Sequence, residues 1–319
     1  MSMTSPVVSV VIAAFNAERT LGEQLAALSR QVVSFPFEVL VCDNGSTDGT
    51  VALAQRWREG ALPQLRVVDA SVRRGPGAAR NVGAASALSP RLVFCDADDV
   101  VADDWLLQMY TALDTADVVA GSCSYSLLNR SVIGLPESDE PLFRLPILPG
   151  LRAAGGGNLG IHSAPFFEVE GFDESLRTVE DIDFSWRLQL AGYRLESCPG
   201  AVVNIRRRGN LRSVFLQAYG YGRGERALLL KYADVAVVSA GDRRNAVESQ
   251  RCRVLRSEAD RGPDAHVVEK VWSKIRRFRG AGDLAFLAKR AGRSLGQRFG
   301  AIDPSVRKIV VPPARQSES

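Results

Sequence analysis

The sequence predicts an α/β fold, in which a mixed, mostly parallel β-sheet is flanked by helices and followed by a helical C-terminal extension. Three observations support this prediction. Apolar runs rich in β-branched residues alternate with segments of helical spacing from Val7 to about Ala120. These runs lack polar alternation, which is typical of parallel strands covered on both faces. After about residue 233 the chain changes to basic amphipathic segments.

The predicted elements follow one another in a regular order. Strands are predicted at Val7–Ala13, Glu38–Cys42, Leu65–Val68, Leu92–Cys95 and Val118–Ala120. Helices are predicted at Thr20–Leu28, Thr50–Arg58, Pro76–Leu88, Trp105–Leu113, Asp181–Leu190 and Val214–Tyr232. Strands that alternate with helices imply right-handed crossovers, and ligands of such sheets bind beyond the carboxyl ends of the strands. The first candidates for a functional site are therefore the acidic residues that follow two of these strands.

The formal net charge of the 319 residues is +4, but the charge is unevenly distributed. Residues 1–200 hold 15 basic and 25 acidic residues, whereas residues 201–319 hold 25 basic and 11 acidic residues. This asymmetry excludes a uniformly basic nucleic-acid binder and a uniformly acidic disordered chain. Hydrophobic residues make up 46% of the chain, which is enough for a full core.

Targeting signals and cysteines restrict the expected compartment. No basic region precedes the first apolar run and no cleavage site follows it, so we predict no signal peptide. No apolar run approaches the roughly 18–20 residues that a membrane-spanning helix needs. The five cysteines are scattered, which argues against a disulfide framework. We therefore expect an intracellular protein that is not integral to a membrane.

Acidic residues follow two of the predicted strands. Asp96, Asp98 and Asp99 come after L-V-F-C, and carboxylates are the ligands that Mg²⁺ and Mn²⁺ prefer. An acidic turn in solvent is the commoner explanation of two acids one residue apart, but the position after a buried strand favours a site. Asp43 ends the run V-L-V-C, where an unpaired carboxylate is costly. A ligand or a basic partner is expected beside it.

Several motifs occur in a fixed order between residues 7 and 232. They are V-S-V-V-I-A-A-F-N at Val8–Asn16, Asp43–Thr50, G-P-G-A-A-R-N-V-G at Gly75–Gly83, F-C-D-A-D-D at Phe94–Asp99, G-G-N-L-G at Gly156–Gly160, G-F-D-E-S-L at Gly171–Leu176 and E-D-I-D-F-S-W-R-L-Q-L-A-G-Y at Glu180–Tyr193. Each motif alone is modest, but their order and spacing together are specific. In this respect the sequence resembles the family 2 glycosyltransferases. The resemblance implies a GT-A fold, the Rossmann-like fold of nucleotide-diphospho-sugar transferases.

The resemblance also implies a nucleotide-sugar as donor and assigns residues to its binding. Ala14, Phe15 and Asn16, at the end of the first strand, are expected to lie against the nucleotide base. Asp43 is expected to contact the base or the ribose. Arg80 matches a family position near the donor, where a guanidinium suits phosphate recognition. A UDP-sugar is the favoured donor.

A metal site and a catalytic base follow from the same resemblance. The family's D-x-D motif maps to Asp96, Ala97 and Asp98, with Asp98 and Asp96 as ligands of Mn²⁺ or Mg²⁺ on the donor diphosphate. The base maps to Asp181 in the pair Glu180-Asp181. A carboxylate can accept the proton of an attacking hydroxyl, and a metal can offset charge on the departing diphosphate. One displacement then inverts the anomeric centre. Helix capping would explain these acids but not the motif that follows them.

Three positions depart from the family pattern. Ala14 stands where Pro is usual, and Arg73 and Arg74 stand where many members have Asn. Asn204 occupies the place of a His that contacts the metal or the diphosphate in many members. Either the Asn204 carbonyl oxygen replaces that imidazole, or Arg206–Arg208 contact the diphosphate directly. Metal dependence is therefore predicted less firmly than the fold.

Two regions of different character are predicted. Residues 1–232 form the catalytic domain, with a nucleotide-binding half to about residue 121 and an acceptor-side half after it. Residues 233–319 form a basic, mainly helical and partly flexible extension, with apolar residues at helical spacing around Trp272 and Leu287. Such helices can lie on an anionic membrane surface or pack on the catalytic domain. The predicted location is cytoplasmic, including the inner face of the cell membrane.

Three alternatives to a transferase are disfavoured by the sequence. A sugar-nucleotidyltransferase needs a Gly-rich phosphate loop after the first strand and a dehydrogenase needs G-x-G-x-x-G there, whereas Ala13–Ala17 contains no Gly. The intact Asp43, Asp98 and Asp181 argue against a non-catalytic protein on the same fold, while Asn204 keeps that reading open. No nucleic-acid-binding module accompanies the basic charge. The acceptor is expected to be a glycan, a lipid-linked molecule or a small molecule.

Overall fold

A computed structural model describes residues 5–129, 140–207, 210–235 and 281–309. These residues form one eight-stranded sheet of order β3-β2-β1-β4-β7-β6-β8-β5 with helices on both faces. The strands are β1 Val8–Ala14, β2 Phe37–Asp43, β3 Leu65–Asp69, β4 Arg91–Asp96, β5 Val100–Val101, β6 Val118–Ser124, β7 Asn158–His162 and β8 Leu195–Asn204. The helices are α1 Leu21–Ser29, α2 Thr50–Glu59, α3 Pro76–Ser86, α4 Trp105–Ala112, α5 Ser163–Glu168, α6 Glu180–Leu190, α7 Leu211–Lys231 and α8 Ala281–Phe299.

Strands β3, β2, β1 and β4 form the parallel half of the sheet, as the apolar runs predict. Both faces are covered, by α1, α2 and α4 on one side and by α3, α5 and α6 on the other. The register pairs Ala14 with Asp43, and Ala13 with Asp96. Because neighbouring strands lie about 4.8 Å apart, the carboxyl ends of β1, β2 and β4 place these acids along a single edge.

The other half of the sheet is mixed and was only partly predicted. Strand β7 runs antiparallel to both β4 and β6, and the pair Cys95–Asn158 places the loop before β7 beside the end of β4. Strand β8 runs parallel to β6, and its last residue, Asn204, pairs with Val100 of β5. The mixed half therefore surrounds the acidic stretch that follows β4.

Helix α8 packs along α7, so the part of the extension that the structure describes lies against the preceding part of the chain. A Cβ at Gly222 of α7 would overlap the Arg293 carbonyl of α8, so the two backbones approach as closely as glycine permits. Glu225 of α7 pairs with Arg293 and accepts a hydrogen bond of 2.6 Å from Gln297 Nε2. After α8 the chain returns along α7, and the Ile309 N–H donates to the Lys231 carbonyl at 3.0 Å. This arrangement is the packed alternative left open by the sequence.

Helix α7 is in turn fixed to α6. Lys231 Nζ lies 2.7 Å from the fully buried carboxylate of Asp183 and 2.5 Å from that of Asp173. The Tyr232 hydroxyl also donates to Asp183 at 2.9 Å. The predicted boundary between catalytic domain and extension after residue 232 stays a prediction, and the amphipathic segment around Trp272 lies outside the described residues. In the described part of the chain no helix is both long and apolar enough to cross a membrane.

Candidate active site

A buried arginine joins the end of strand β4 to the start of helix α6. Arg80 of α3 has a side chain that is 5% exposed. Its Nη2 lies 2.7 Å from Asp96 Oδ1, and its Nη1 lies 2.8 Å from Glu180 Oε1. Burial alone would lower the pKa of Arg80, but the charges of these two carboxylates raise it above its usual value. The guanidinium therefore stays charged and connects the end of β4 to the first turn of α6.

Asp181 lies in the first turn of α6, next to this ion pair. Helix α6 follows Val179, whose φ of 61° is left-handed. Asp181 Oδ2 accepts a hydrogen bond of 3.0 Å from the Gly156 N–H, and Oδ1 accepts one of 2.8 Å from the Ile182 N–H. Burial nevertheless raises the pKa of Asp181 above its ordinary value. The carboxylate is thus oriented by the backbone and more basic than a solvated aspartate.

The loop before β7 fits closely between these groups. A Cβ at Gly156 would lie 3.0 Å from Arg80 Nη1 and 3.2 Å from Asp181 Cβ. A Cβ at Gly157 would overlap the Asp96 carboxylate. Only glycine fits here without displacing a charged side chain. The sequence places this glycine run at the start of an ordered stretch, and the structure gives the reason for its composition.

Three carboxylates converge after β4. One oxygen each from Asp96, Asp98 and Asp99 lie within 4.8 Å of one another. Burial, together with the charges of Asp96 and Asp98, raises the pKa of Asp99 to about 8. Oxygen ligands at this spacing suit Mn²⁺ or Mg²⁺, and a cation would offset the concentrated negative charge. The donor set therefore fits a divalent metal, and Asp99 is a third ligand candidate that the D-x-D pattern omits.

An exposed aromatic ring lies at the carboxyl end of β1. Phe15 is 53% exposed, and the Arg74 guanidinium lies 4.9 Å from its ring centroid. Arg74 Nη1 also donates to the Asn44 carbonyl at 2.6 Å, which fixes the guanidinium. The Asp43 carboxylate accepts from the Ser46 N–H at 3.2 Å. Phe15, Arg74 and Asp43 thus form a charged and aromatic surface on the sheet edge that also carries Asp96.

Two other residues predicted at this edge have structural contacts. Asn16 has a φ of 50°, and its Oδ1 accepts a hydrogen bond of 2.8 Å from the Thr47 N–H. Ala14 is buried, and its carbonyl accepts from the Asn44 N–H at 2.8 Å. These contacts hold the ends of β1 and β2 together, below the exposed ring of Phe15.

Comparison with known proteins identifies a family that matches the part of the chain that carries most of these residues. The family model described as glycosyl transferase family 2 matches residues 9–163, which contain Asp43, Arg80 and the three-carboxylate cluster. Residues 9–163 of the chain thus match glycosyl transferase family 2. The family predicted from the sequence is thereby confirmed.

Curated relatives of this chain are glycosyltransferases or polysaccharide biosynthesis proteins. The pre-mycofactocin glycosyltransferase of Mycobacterium tuberculosis is 27% identical, over 57% of this chain and 41% of its own. Glycosyltransferase AglE of Haloferax volcanii is 31% identical, over 61% of this chain and 65% of its own. The succinoglycan biosynthesis protein ExoO of Rhizobium meliloti is 31% identical, over 63% and 61%. The chain thus spans about two fifths to two thirds of the length of these relatives.

Solved structures confirm the predicted GT-A fold. The mannosyltransferase PcManGT of Pyrobaculum calidifontis, solved with GDP-Man and Mn²⁺, has a TM-score of 0.56 at 19% identity over 92% of this chain and 88% of its own. Residues 1–349 of Staphylococcus aureus TarS, solved with UDP, have a TM-score of 0.51 at 22% identity over 70% and 71%. At these identities the similarity establishes the fold.

The residue that stands in the place of the family His lies beside the three-carboxylate cluster. Asn204, at the end of β8, donates from Nδ2 to the Val100 carbonyl at 3.0 Å. Beyond it, the Arg206 N–H donates to Asp99 Oδ1 at 2.8 Å, and Arg206 Nε donates to the Asp98 carbonyl at 3.0 Å. Of the substitutes that the sequence offers, Asn204 and Arg206 are therefore beside the D-x-D turn, whereas the Arg207 guanidinium lies 4.8 Å from the Tyr125 ring centroid. Arg208 lies outside the described residues.

The structure brings the predicted site residues into two adjacent groups. One group, named the nucleotide edge after its predicted role, contains Ala14, Phe15, Asn16 and Asp43, and the other is the cluster with Arg80, Asp96, Ala97, Asp98 and Asp181. Their roles in catalysis stay predictions. Sequence reasoning missed Glu180 as the ion-pair partner of Arg80, and Arg74 as the cation on Phe15. Neither contact has a local signal, because the partners are 100 and 59 positions apart in the chain.

Proposed function

We propose that this protein transfers a sugar from a nucleotide-diphosphate-sugar, with a UDP-sugar favoured, to an acceptor hydroxyl with inversion at the anomeric carbon. The observation that carries the proposal is the buried contact of Arg80 with Asp96 and Glu180. It holds Asp181, the neighbour of Glu180, in fixed relation to the D-x-D carboxylates. The names of the curated relatives and the UDP and GDP-Man bound to similar structures support the same reaction class.

In this proposal Asp181 is the general base. Its oxygens already accept two backbone hydrogen bonds, which orient the carboxylate, and burial raises its pKa. A sugar hydroxyl is a weak nucleophile, so a positioned carboxylate that accepts its proton lowers the barrier. The hydroxyl oxygen bonds to the anomeric carbon as the bond to the diphosphate oxygen breaks on the opposite face. The proton passes to Asp181 and the diphosphate departs as the leaving group.

Asp96, Asp98 and Asp99 would hold the divalent metal. Asp98 is exposed and Asp96 shares one oxygen with Arg80, so Asp98 is the expected principal ligand. When bound, the metal supplies Lewis-acid stabilisation of charge on the departing diphosphate. Arg206, tied to the backbone of the same turn, supplies a second positive charge two residues after Asn204, which stands in the place of the family His. Its fork of N–H groups suits phosphate oxygens.

The nucleotide edge would bind the donor base and ribose. Phe15 offers an exposed ring, and Arg74 holds a positive charge beside it. Asp43 offers acceptor oxygens at the end of β2, and Asn16 and Ala14 set the backbone of this edge. The adjacent Arg80 is the candidate contact to the donor phosphate. UDP is favoured over other nucleotides because similar structures were solved with UDP and with UDP-GlcNAc.

A thermal-shift screen of nucleotide-sugars tests the donor and the metal together. UDP-sugars and GDP-mannose are offered with Mn²⁺ or with EDTA. We expect one donor to raise the melting temperature by roughly 5–10 °C at saturation with Mn²⁺. The shift should be much smaller in EDTA and in the variant Asp98→Asn. The variant Asp103→Asn is the control, because Asp103 is exposed and makes only a surface ion pair with Arg30.

Each outcome of the screen bears on a separate part of the proposal. No shift with any nucleotide-sugar would overturn the donor assignment. An equal shift in EDTA and in Mn²⁺ would remove the metal from the proposal. The role of its positive charge would then be assigned to Arg206.

We also propose that the extension brings the protein to an anionic membrane surface, on the cytoplasmic side, where a lipid-linked acceptor would be presented. Leu216 and Tyr221 of α7 and Phe286 of α8 are exposed, and Arg290 and Arg298 of α8 are exposed as well. Apolar residues flanked by basic ones are typical of interfacial helices. A glycan or a small-molecule acceptor would need no such surface.

Vesicle cosedimentation tests this association. We expect binding to phosphatidylcholine vesicles that contain phosphatidylglycerol, weaker binding as salt rises, and a several-fold loss in Phe286→Ser. The matched control is Leu107→Ser, since Leu107 is an exposed apolar residue on α4, away from the extension. Equal binding to neutral and anionic vesicles, or none to either, contradicts the proposal.

A further inference from the structure

A second cavity lies outside the proposed donor and metal sites. It has a volume of about 210 Å³ and lies between the loop before α6, helix α7 and the segment that follows α8. Its lining includes Arg177 and Thr178 of the loop, Arg223 of α7 and Asp303 of the last segment. None of these residues belongs to the proposed donor site. The cavity is therefore available for a different ligand or for a different part of the acceptor.

The lining carries a net positive charge, from two arginines and one aspartate. Within the described residues, neither Arg177 nor Arg223 forms a hydrogen bond or an ion pair, unlike Arg80 and Arg293, which are paired with carboxylates. The one acid in the lining, Asp303, already accepts hydrogen bonds of 2.9 and 2.6 Å from the Ser305 N–H and hydroxyl. Two guanidinium groups without partners thus face one carboxylate that is already hydrogen-bonded.

Charges of both signs lie near the cavity, since Arg73 forms an ion pair of 3.5 Å with Glu174. Hydrogen bonds from Ser305, and then the charges of Arg73 and Arg177, lower the pKa of Asp303. Arg73, from the loop before α3, is therefore also close enough to act on this acid. An anion in the cavity would be attracted mainly by Arg177 and Arg223, because Arg73 is already paired with Glu174, and it would be opposed by Asp303.

The cavity is joined to the proposed base by a short, fixed segment. Thr178 precedes Asp181 by three residues, so their Cα atoms are at most about 11 Å apart. Thr178 Oγ1 donates to the Gly220 carbonyl at 2.8 Å, which holds the loop on α7. Glu180, between them, is held by Arg80. A molecule that places an anionic group in the cavity could thus extend toward Asp181 over a short distance.

The C-terminal segment forms one wall of the cavity. Arg226 Nη1 donates to the Gly300 carbonyl at 3.0 Å, and Ile309 donates to Lys231, so this segment is attached to α7 at both ends. Ala301, Ile302 and Val306 complete the lining on this side. The predicted catalytic domain alone, residues 1–232, would lack this wall. The packed extension therefore builds a site as well as a surface.

We propose that this cavity binds a phosphate group carried by the acceptor, an inference that rests on the proposed transferase function. Guanidinium groups bind phosphate oxygens through paired, charge-assisted hydrogen bonds. Arg177 and Arg223 are the binding residues, and Thr178 lines the cavity beside them while its hydroxyl donates to the Gly220 carbonyl. The phosphate fixes the acceptor at one end, so that its hydroxyl is presented to Asp181 at the other.

Titration with inorganic phosphate, followed by thermal shift on the full chain in EDTA and without donor, tests the site. We expect a saturable rise in melting temperature for the wild type. The apparent affinity should fall about tenfold or more in Arg177→Gln and in Arg223→Gln, since each removes charge-assisted hydrogen bonds. The control is Arg58→Gln, which removes one positive charge from an exposed position on α2.

The outcomes separate this proposal from the proposed function. The site is overturned if phosphate does not raise the melting temperature of the wild type. It is also overturned if the rise is equal in the wild type, Arg177→Gln and Arg223→Gln. Both conclusions hold whatever the transferase activity. Arg177 is exposed, so Arg177→Gln keeps the test decisive even if Arg223→Gln does not fold. A phosphate shift that persists when the nucleotide-sugar screen fails would leave the anion site intact and remove only its link to transfer.

A competition experiment identifies the source of the phosphate. Glycerol 3-phosphate represents a soluble phosphorylated acceptor, and vesicles that contain phosphatidic acid represent a lipid phosphate. If the acceptor is soluble, glycerol 3-phosphate reproduces the shift and the vesicles do not displace it. If the acceptor is lipid-linked, wild-type binding to these vesicles is weakened by inorganic phosphate, and Arg177→Gln shows no such competition. If Arg177→Gln keeps both the shift with glycerol 3-phosphate and the competition between phosphate and the vesicles, the site is overturned.

Discussion

Replacement of Asp181 by Asn is expected to reduce glycosyl transfer by on the order of 10²–10⁴-fold while donor binding is retained. The amide cannot accept the proton of the attacking hydroxyl. It can still accept one of the two backbone hydrogen bonds, from Gly156 or Ile182, so the loop geometry should largely persist. The measurement is release of nucleoside diphosphate from the donor found in the thermal-shift screen, with water or an offered sugar as acceptor.

Two controls make the Asp181 result interpretable. The variant Asp103→Asn makes the same chemical change at an exposed position that pairs with Arg30, and should retain full activity. Donor-induced stabilisation of Asp181→Asn should match that of the wild type. Full transfer by Asp181→Asn would remove Asp181 from the role of base, and loss of donor binding would assign it to the donor site instead.

Replacement of Arg80 by Met is expected to lower the free energy of unfolding by about 3–5 kcal/mol. Met preserves much of the side-chain volume but leaves Asp96 and Glu180 without their shared cation. The Arg80–Glu180 pair is almost fully buried, and burial followed by the charge of Asp181 already raises the pKa of Glu180 to about 7. An uncompensated carboxylate there is costly. Urea unfolding, followed by circular dichroism, measures the loss.

A surface pair and a double variant check this explanation. Arg30→Met breaks the Arg30–Asp103 pair, whose side chains are 57% and 79% exposed, and should cost 0–1 kcal/mol. Adding Glu180→Gln to Arg80→Met should recover part of the lost stability, because the buried charge is removed. If Arg80→Met is no less stable than Arg30→Met, the buried ion pair that joins α3, the end of β4 and α6 does not stabilise the fold.

Local patterns predicted the parallel half of the sheet well, because each of its strands is signalled by its own residues. The runs ending at Ala13, Cys42 and Cys95 are apolar on both faces, and the structure covers both faces with helices. Strand β7 was not predicted, since N-L-G-I-H is short and contains glycine. It forms because Leu159 and Ile161 pair with β4 and β6, which lie far away in the chain.

The candidate site likewise contains residues with a local sequence signal and residues whose contacts are long-range. Asp43, Asp96, Asp98 and Asp181 were predicted because each is a charged residue at the end of a strand or the start of a helix within a motif. Glu180 was assigned only to the motif beside Asp181. Its role as the partner of Arg80 depends on two helices that meet across 100 positions of sequence, and spacing along the chain carries no signal for that contact.

The sequence by itself determined the family, the parallel α/β core and the strand ends that carry the acidic residues, because hydrophobic period and turn chemistry act between near neighbours. It also established that the positive charge is concentrated after residue 200. Only the tertiary structure decided that helix α8 packs on α7, that Arg80 shares its charge between Asp96 and Glu180, and that Arg177 and Arg223 line one cavity. These contacts depend on shape complementarity and charge between segments distant in the chain, which exist only once the sheet has brought those segments together.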